Sequence, residues 1–296
     1  MRIVSLLPSA TEIVYALNLG EELVGITHEC DWPPEARSKR IVSHSTLPPG
    51  ASPAEVDRLV SESIGDGAPI YRLDHEAIRE LRPDVVITQD LCAVCAVPSG
   101  HVHEALDLLG CPAEVVSLDP SSLDDVLDSI VQVGRVSGTG EQAEACVAQL
   151  RDRLDRVRRS VAGLGRPRTF ALEWADPPFN GGHWVPEMIE AAGGESLLGS
   201  HRTPSVRLTW ETIGTAAPDV VVFMPCGYNL EAAVREGKTL MDRPELAGVE
   251  QFFAADASAY FSRPGPRLID GVELLAACLH PGCIEWAGPE GIARLR

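Results

Sequence analysis

The chain has 296 residues, 45% of them hydrophobic, which suits one large or two medium soluble domains and shows no compositional sign of disorder. A formal charge of −18 excludes a face for the nucleic-acid backbone or for an anionic membrane, since either needs clustered Lys and Arg. No apolar run approaches the ~20 residues needed to span a bilayer.

Behind Met1, Arg2-Ile3-Val4-Ser5-Leu6-Leu7 reads as a buried strand. It leaves no room for a charged n-region, an apolar h-region and a cleavage site, so on a start at Met1 a cytoplasmic location is expected. Eight cysteines in a reducing compartment are expected to be thiols or metal ligands before disulfides. Pro8-Ser9-Ala10-Thr11-Glu12 opens a helix that ends at Asn18-Leu19-Gly20. Ser9 as N-cap with Glu12 three positions on has the capping-box spacing, and a helix N-terminus at a strand's carboxyl end can also receive an anionic group. A second strand, Leu23 to Thr27, delivers His28-Glu29-Cys30-Asp31-Trp32-Pro33-Pro34. An imidazole, a thiol and two carboxylates thus leave a strand end together, where open α/β sheets hold their ligands.

A short strand and a loop over 40–50 follow, then a helix opened by Ser52-Pro53-Ala54-Glu55 and a short helix from Leu73 to Leu81. Pro83 to Thr88 is a buried strand of parallel type. It delivers Cys92 and Cys95, whose Cys-x-x-Cys spacing suits a shared metal, a redox couple or two packed apolar residues. Cys30 and His28 leave a neighbouring strand at the same edge, so three thiols and an imidazole are expected to converge. His101 and His103, at alternate positions of the next helix, face different directions. A strand over 113–118 and an amphipathic helix over 121–136 come next.

Ala143, Val147, Leu150, Leu154, Val157, Val161 and Leu164 alternate steps of four and three, drawing one apolar stripe along a helix from Glu141 to Gly165. Its other faces are charged, its length is on the order of 35 Å, and Gly163, Gly165 and Pro167 stop it. Strands and helices alternate on either side. The expected organisation is therefore an α/β lobe over 1–120, a helical segment with the long linking helix over 121–165, and a second α/β lobe over 166–296.

Thr169 to Trp174 opens the second lobe, followed by Asn180-Gly181-Gly182-His183-Trp184 and a helix beginning near Pro186. Pro218-Asp219-Val220-Val221-Val222 echoes Pro83-Asp84-Val85-Val86-Ile87, and a cysteine follows each, Cys226 and Cys92. With a further strand expected over 257–261, Glu173, Trp174, His183, Trp184, Cys226, Tyr228 and Arg263 are expected to face one opening. Aromatic residues are 5% of the chain, yet Trp32, Trp174, Trp184 and Trp210 fall in or beside these loops, which favours ligand lining over core packing. Leu268 to Leu279 reads as a packing helix.

Ile3-Val4-Ser5-Leu6-Leu7-Pro8-Ser9-Ala10-Thr11-Glu12, the paired Pro-Asp-Val-Val strands and Ser258-Ala259-Tyr260-Phe261-Ser262-Arg263-Pro264-Gly265-Pro266-Arg267 resemble class III substrate-binding proteins, the vitamin B12 and ferric-siderophore type, over nearly the whole chain. His28-Glu29-Cys30-Asp31, Cys92-Ala93-Val94-Cys95 and Gly182-His183-Trp184 are similar to a leaderless, cobalamin-binding branch. The resemblance implies two Rossmann-like lobes joined by a single long backbone helix, the helical-backbone metal receptor type, with a corrinoid, haem or iron chelate held between the lobes. That class delivers to an ABC importer, and no export or lipid-anchor signal points to such a partner here.

Three functions follow. In the first, cobalamin or another metal chelate packs on Trp32, Trp174, Trp184 and Trp210 beside Glu173 and Tyr228, with His28 or His183 as axial ligand and Arg263 on a carboxylate or phosphate. In the second, Cys30, Cys92 and Cys95 with His28 or Cys226 bind zinc or iron directly. In the third, an enzyme uses that site, with Glu173 or Glu187 as acid or base. The sequence has no Ser-His-Asp order, phosphate loop or dinucleotide fingerprint, so binding is expected ahead of catalysis.

Overall fold

A computed structural model describes residues 1–48, 50–66, 70–90, 97–286, 288 and 290–296, with 64–66 by backbone only. The chain divides into two units, Met1–Pro120 with Leu127–Val147, and Ser121–Val126 with Ala148–Arg296. The first contains β1 (Ile3–Ser5), α1 (Pro8–Ala16), β2 (Leu23–Thr27), β3 (Arg40–Ser45), α2 (Pro53–Asp66), β4 (Tyr71–Leu73), α3 (His75–Leu81), β5 (Val85–Thr88), α4 (Ser99–Leu109) and β6 (Glu114–Ser117). Next come α5 (Leu123–Ser137) and α6 (Gly140–Val161), divided between the units after Val126 and after Val147.

Short apolar runs with both faces covered make parallel strands, and the first sheet has the order β4-β3-β2-β1-β5-β6 with β4 alone antiparallel. Val4, Leu6 and Val86 pack on Ile78 of α3 and Leu106 of α4. Ser5 turns to the opposite face, where Thr11 of α1 donates to its hydroxyl at 2.9 Å. The order reverses at β1, with β2 on one side and β5 on the other, so a switch point lies at the carboxyl ends of β1 and β5.

The second unit contains β7 (Arg168–Ala175), β8 (Pro178–Asn180), α7 (Val185–Ala191), β9 (Glu195–Ser196), α8 (Trp210–Ala216), β10 (Val220–Phe223), α9 (Leu230–Leu240), β11 (Gln251–Ala255), α10 (Ala257–Tyr260), α11 (Leu268–Leu279) and β12 (Ile292–Arg294). Its sheet runs β12-β11-β10-β7-β8, with β9 also on β7. Phe170, Leu172, Val221, Phe223 and Phe252 form its core. The switch point here lies between β7 and β10. This is the α/β two-lobe architecture, and no helix among the described residues is long and apolar enough to cross a membrane.

The α6 stripe is buried from Ala143 through Val161, while Leu164 lies beyond the helix and is exposed. Two elements depart from expectation for local reasons. The segment 257–261 is the short helix α10, because the Asp256 carboxylate accepts the Ala259 N–H at 2.9 Å and caps it. The strand lies earlier, at β11, in register with β10 through Val220 and Gln251. Ser9 is not an N-cap. Pro8 takes the first helical position, for which its fixed φ is suited, so extended Leu7 becomes the cap and Ser9 is left inside the helix.

Candidate ligand site

In the second unit the backbone itself assembles the site. Met224 donates its N–H to Leu172 at 2.9 Å and Cys226 to Glu173 at 3.3 Å, which carries the turn after β10 over the end of β7. Gly227 turns the chain at φ +80, and Tyr228 then meets Trp174 edge to face with 5.8 Å between ring centroids. Tyr228 is hydrogen-bonded to Glu236 of α9, and burial, with the Glu236 charge, pushes its hydroxyl up to about 12. Burial likewise raises the Glu236 carboxyl. The indole Nε1 of Trp174 is buried without a partner. Cys226 is exposed on the same turn, and Arg263 is partly buried and engaged in an interaction of its own.

Glu173 points to the segment that follows β9. Its carboxylate accepts from Ser205 Oγ and from the Gly182 N–H, both of which favour the charged form, yet burial outweighs them and holds the group above the ordinary Glu range. A raised carboxyl contributes its full stabilisation below the unfolded-state value and loses it as pH rises through the folded one. Glu173→Gln is therefore expected to be at least as stable as the wild type at pH 8 and to lose that advantage by pH 4, as read from thermal melts across the range.

His183 occupies the left-handed region at φ 52, fixed by its N–H to Thr203 O at 2.7 Å and by Arg202 N–H to its own carbonyl at 3.1 Å. Its ring stacks on Trp184 at 5.5 Å, its Nδ1 is buried without a partner, and burial lowers its pKa so that the neutral imidazole prevails. Two further tryptophans named from sequence make packing contacts. Trp184 is 6% exposed and donates Nε1 to the Phe261 carbonyl at 2.8 Å. Trp210 packs on the core of the second unit, with the Arg243 guanidinium 3.9 Å over its ring.

In the first unit, the loop after β2 turns its two metal-ligand candidates apart. Cys30 is buried, its sulfur 3.0 Å from Thr11 Oγ1, whereas His28 is exposed and stacked on His44 at 5.9 Å. Thr27 Oγ1 lies 3.3 Å from His28 Nδ1. Trp32 is 42% exposed on the same loop. Cys92 and Cys95 lie outside the described residues. Among the described residues no three of His, Cys, Asp and Glu are grouped to hold a metal ion. Sequence reasoning missed Ser205 and Glu236, both of which meet site residues only through folding.

The family model described as periplasmic binding protein matches residues 3–252. The chain belongs to the periplasmic binding protein family. Among family relatives, the vitamin B12-binding protein of Vibrio cholerae is 26% identical over 286 residues, covering 94% of this chain and 88% of that protein. A periplasmic haem-binding protein of Pseudomonas aeruginosa superposes with a TM-score of 0.73 at 20% identity, over 99% of this chain and 97% of the other. The periplasmic vitamin B12-binding protein of Vibrio cholerae superposes with a TM-score of 0.66 at 24% identity, over 94% and 96%. These superpositions establish the family fold.

Proposed function

We propose that this chain is a non-catalytic binding protein for a flat, metal-containing chelate of the corrinoid or haem type. The observation that carries the reading is the Trp174–Tyr228 pair at the β7/β10 switch point, with a buried indole N–H that has no partner. A flat macrocycle offers such a corner a face for ring packing and peripheral acceptors for the N–H. His183, held neutral by burial, is the axial candidate of the second unit, and Arg263 is assigned to a carboxylate or phosphate of the ligand. Relatives named for vitamin B12 and for haem support the same ligand class.

A cytoplasmic site of action is part of the proposal. Its support is that Cys111, Cys146, Cys226, Cys278 and Cys283 carry thiols and not disulfides. Cell fractionation tests it.

Stoichiometric cyanocobalamin or haemin, added separately, is expected to co-elute with the protein and to show a shifted visible spectrum. Trp174→Ala is expected to weaken that binding about tenfold or more, the scale of one buried aromatic contact. No spectral change with either chelate, or an unaltered affinity in Trp174→Ala, would overturn the reading.

A further inference from the structure

Between β4, the outer strand of the first sheet, and α4 lies a cavity of about 560 Å³, within the range of small-molecule sites. The sequence builds its two walls separately. On β4, Tyr71 and Leu73 alternate onto the core face, while Arg72, in register with His44 of β3, is exposed. The Asp74 carboxylate then accepts the Ala77 N–H at 2.9 Å and caps α3, which puts exposed His75 at the first helical position. On α4, Val102 and Leu106 pack in the core. His101, Glu104, Ala105 and Leu108, at steps of three, one and three, share the neighbouring face and line the cavity.

Two features of this lining suit a ligand. Leu73, Val97, Ala105 and Leu108 give it an apolar wall, and Leu108, at 76%, is the most exposed large hydrophobic residue described. Arg72 and Glu104 add one charge of each sign. Among the described residues neither side chain has a hydrogen bond or ion pair, with the other or with any third group. Singly, each would be an ordinary solvated side chain. Here an unneutralised guanidinium and an unneutralised carboxylate border one apolar hollow. His75 and His101 border it too, and a neutral imidazole can donate one hydrogen bond and accept another.

We propose that this cavity takes a small zwitterion with an apolar body, of the class of a short apolar peptide. Arg72 binds its carboxylate, Glu104 its ammonium group and the apolar wall its side chains, with His75 and His101 on the peptide unit between the two ends. A lone anion or a lone cation would meet one of the two charges with the wrong sign. A zwitterion satisfies both, and having no net charge it is not repelled by the long-range field of a chain at −18. All of these groups belong to the first unit, so the inference does not rest on the chelate reading.

The test is a calorimetric titration of the full chain with leucyl-leucine, with its N-acetyl derivative, which lacks the ammonium group, and with its amide, which lacks the carboxylate. Saturable binding of leucyl-leucine is expected, and about tenfold weaker binding of each blocked peptide, the scale of one hydrogen-bonded charge. Arg72→Gln is expected to bind leucyl-leucine about tenfold more weakly and to lose its preference over the amide. Glu104→Gln is expected to lose the preference over the N-acetyl derivative in the same way. Leu108→Asp, which removes part of the apolar wall, is expected to weaken binding about tenfold. All three positions are exposed, so folded variants are expected, and circular dichroism checks them. The three peptides compared on the unaltered chain decide the matter even where a variant fails to fold. No saturable binding of leucyl-leucine, equal affinity for free and blocked peptides, or preferences left intact in both charge variants would overturn the site.

Discussion

Arg153→Ala is expected to destabilise the second unit by about 2–3 kcal/mol at neutral pH, with the loss shrinking on acidification. From α6, Arg153 reaches Glu273 of α11 through two bonds, at 2.7 and 3.0 Å, and also bonds Asp270. The three side chains are 31%, 25% and 17% exposed, so the expected loss lies below the upper end for fully buried pairs. Burial holds the Asp270 carboxyl above its ordinary range, the lowering by Arg153 is too small to reverse this, and Glu273 adds to the rise. A raised carboxyl stabilises fully below its unfolded-state value and loses that contribution as pH rises through the folded value. Without the guanidinium, Asp270 must ionise beside Glu273 with no counter-charge as pH rises, so the deficit is greatest at neutral pH and falls as Asp270 takes up its proton. Urea unfolding at pH 7.5 and 4.5 measures it. A deficit independent of pH would assign the loss to packing of the Arg153 stem alone.

Gly182→Ala is expected to cost about 2–3 kcal/mol and to disturb the ligand corner at the same time. A Cβ at Gly182 would meet Ser205 N at 2.3 Å, Pro204 C at 2.7 Å and Thr203 O at 2.8 Å. All three are backbone atoms and cannot rotate aside. Their segment is tied down by Asn180 N–H to Val206 O at 3.3 Å, by Val206 N–H to Asn180 Oδ1 at 2.6 Å and by the His183–Thr203 bond. Room for a methyl group is made only by lifting that segment, which takes Ser205 from Glu173. The expected readouts are a lower melting temperature and a Glu173 carboxyl that titrates still higher. Gly165→Ala, where no atom lies within 4 Å, is the near-neutral control. Equal melting temperatures for the two variants would show that the segment is not held as described.

Strands that consist of one apolar run were legible in the sequence because burial on both faces leaves no ambiguity. Val85–Thr88 and Val220–Phe223 fall where Pro83-Asp84-Val85-Val86-Ile87 and its echo place them, and Leu23–Thr27 agrees at both ends. The α6 stripe was legible for the same reason, over a longer period. What escaped depends on partners distant in sequence. The strands β4, β8, β9 and β12 have only two or three residues each and exist through their ladders, not through any pattern of their own. Ala257–Tyr260 has an apolar composition that suits a strand, and only the Asp256 cap makes it helical. In the site, loop position singled out Trp174 and Tyr228, whose rings meet, and gave the same weight to Trp184 and Trp210, whose polar and π contacts are with Phe261 and Arg243. Cys30 and His28 share a loop, yet the chain turns between them, so one sulfur is enclosed and one imidazole is not.

Both sheets have on one flank a three-residue antiparallel strand, β4 beside β3 and β12 beside β11. The strands β3 and β11 would otherwise expose a row of amide and carbonyl groups on which a stray chain could lengthen the sheet. The added outer strands are too short to template that growth, and the last is pinned by Arg296, whose guanidinium donates to the carbonyls of Met241 and Leu246 at 2.8 Å. Each flank is in this way sealed against fibre-like extension by a few residues of its own chain.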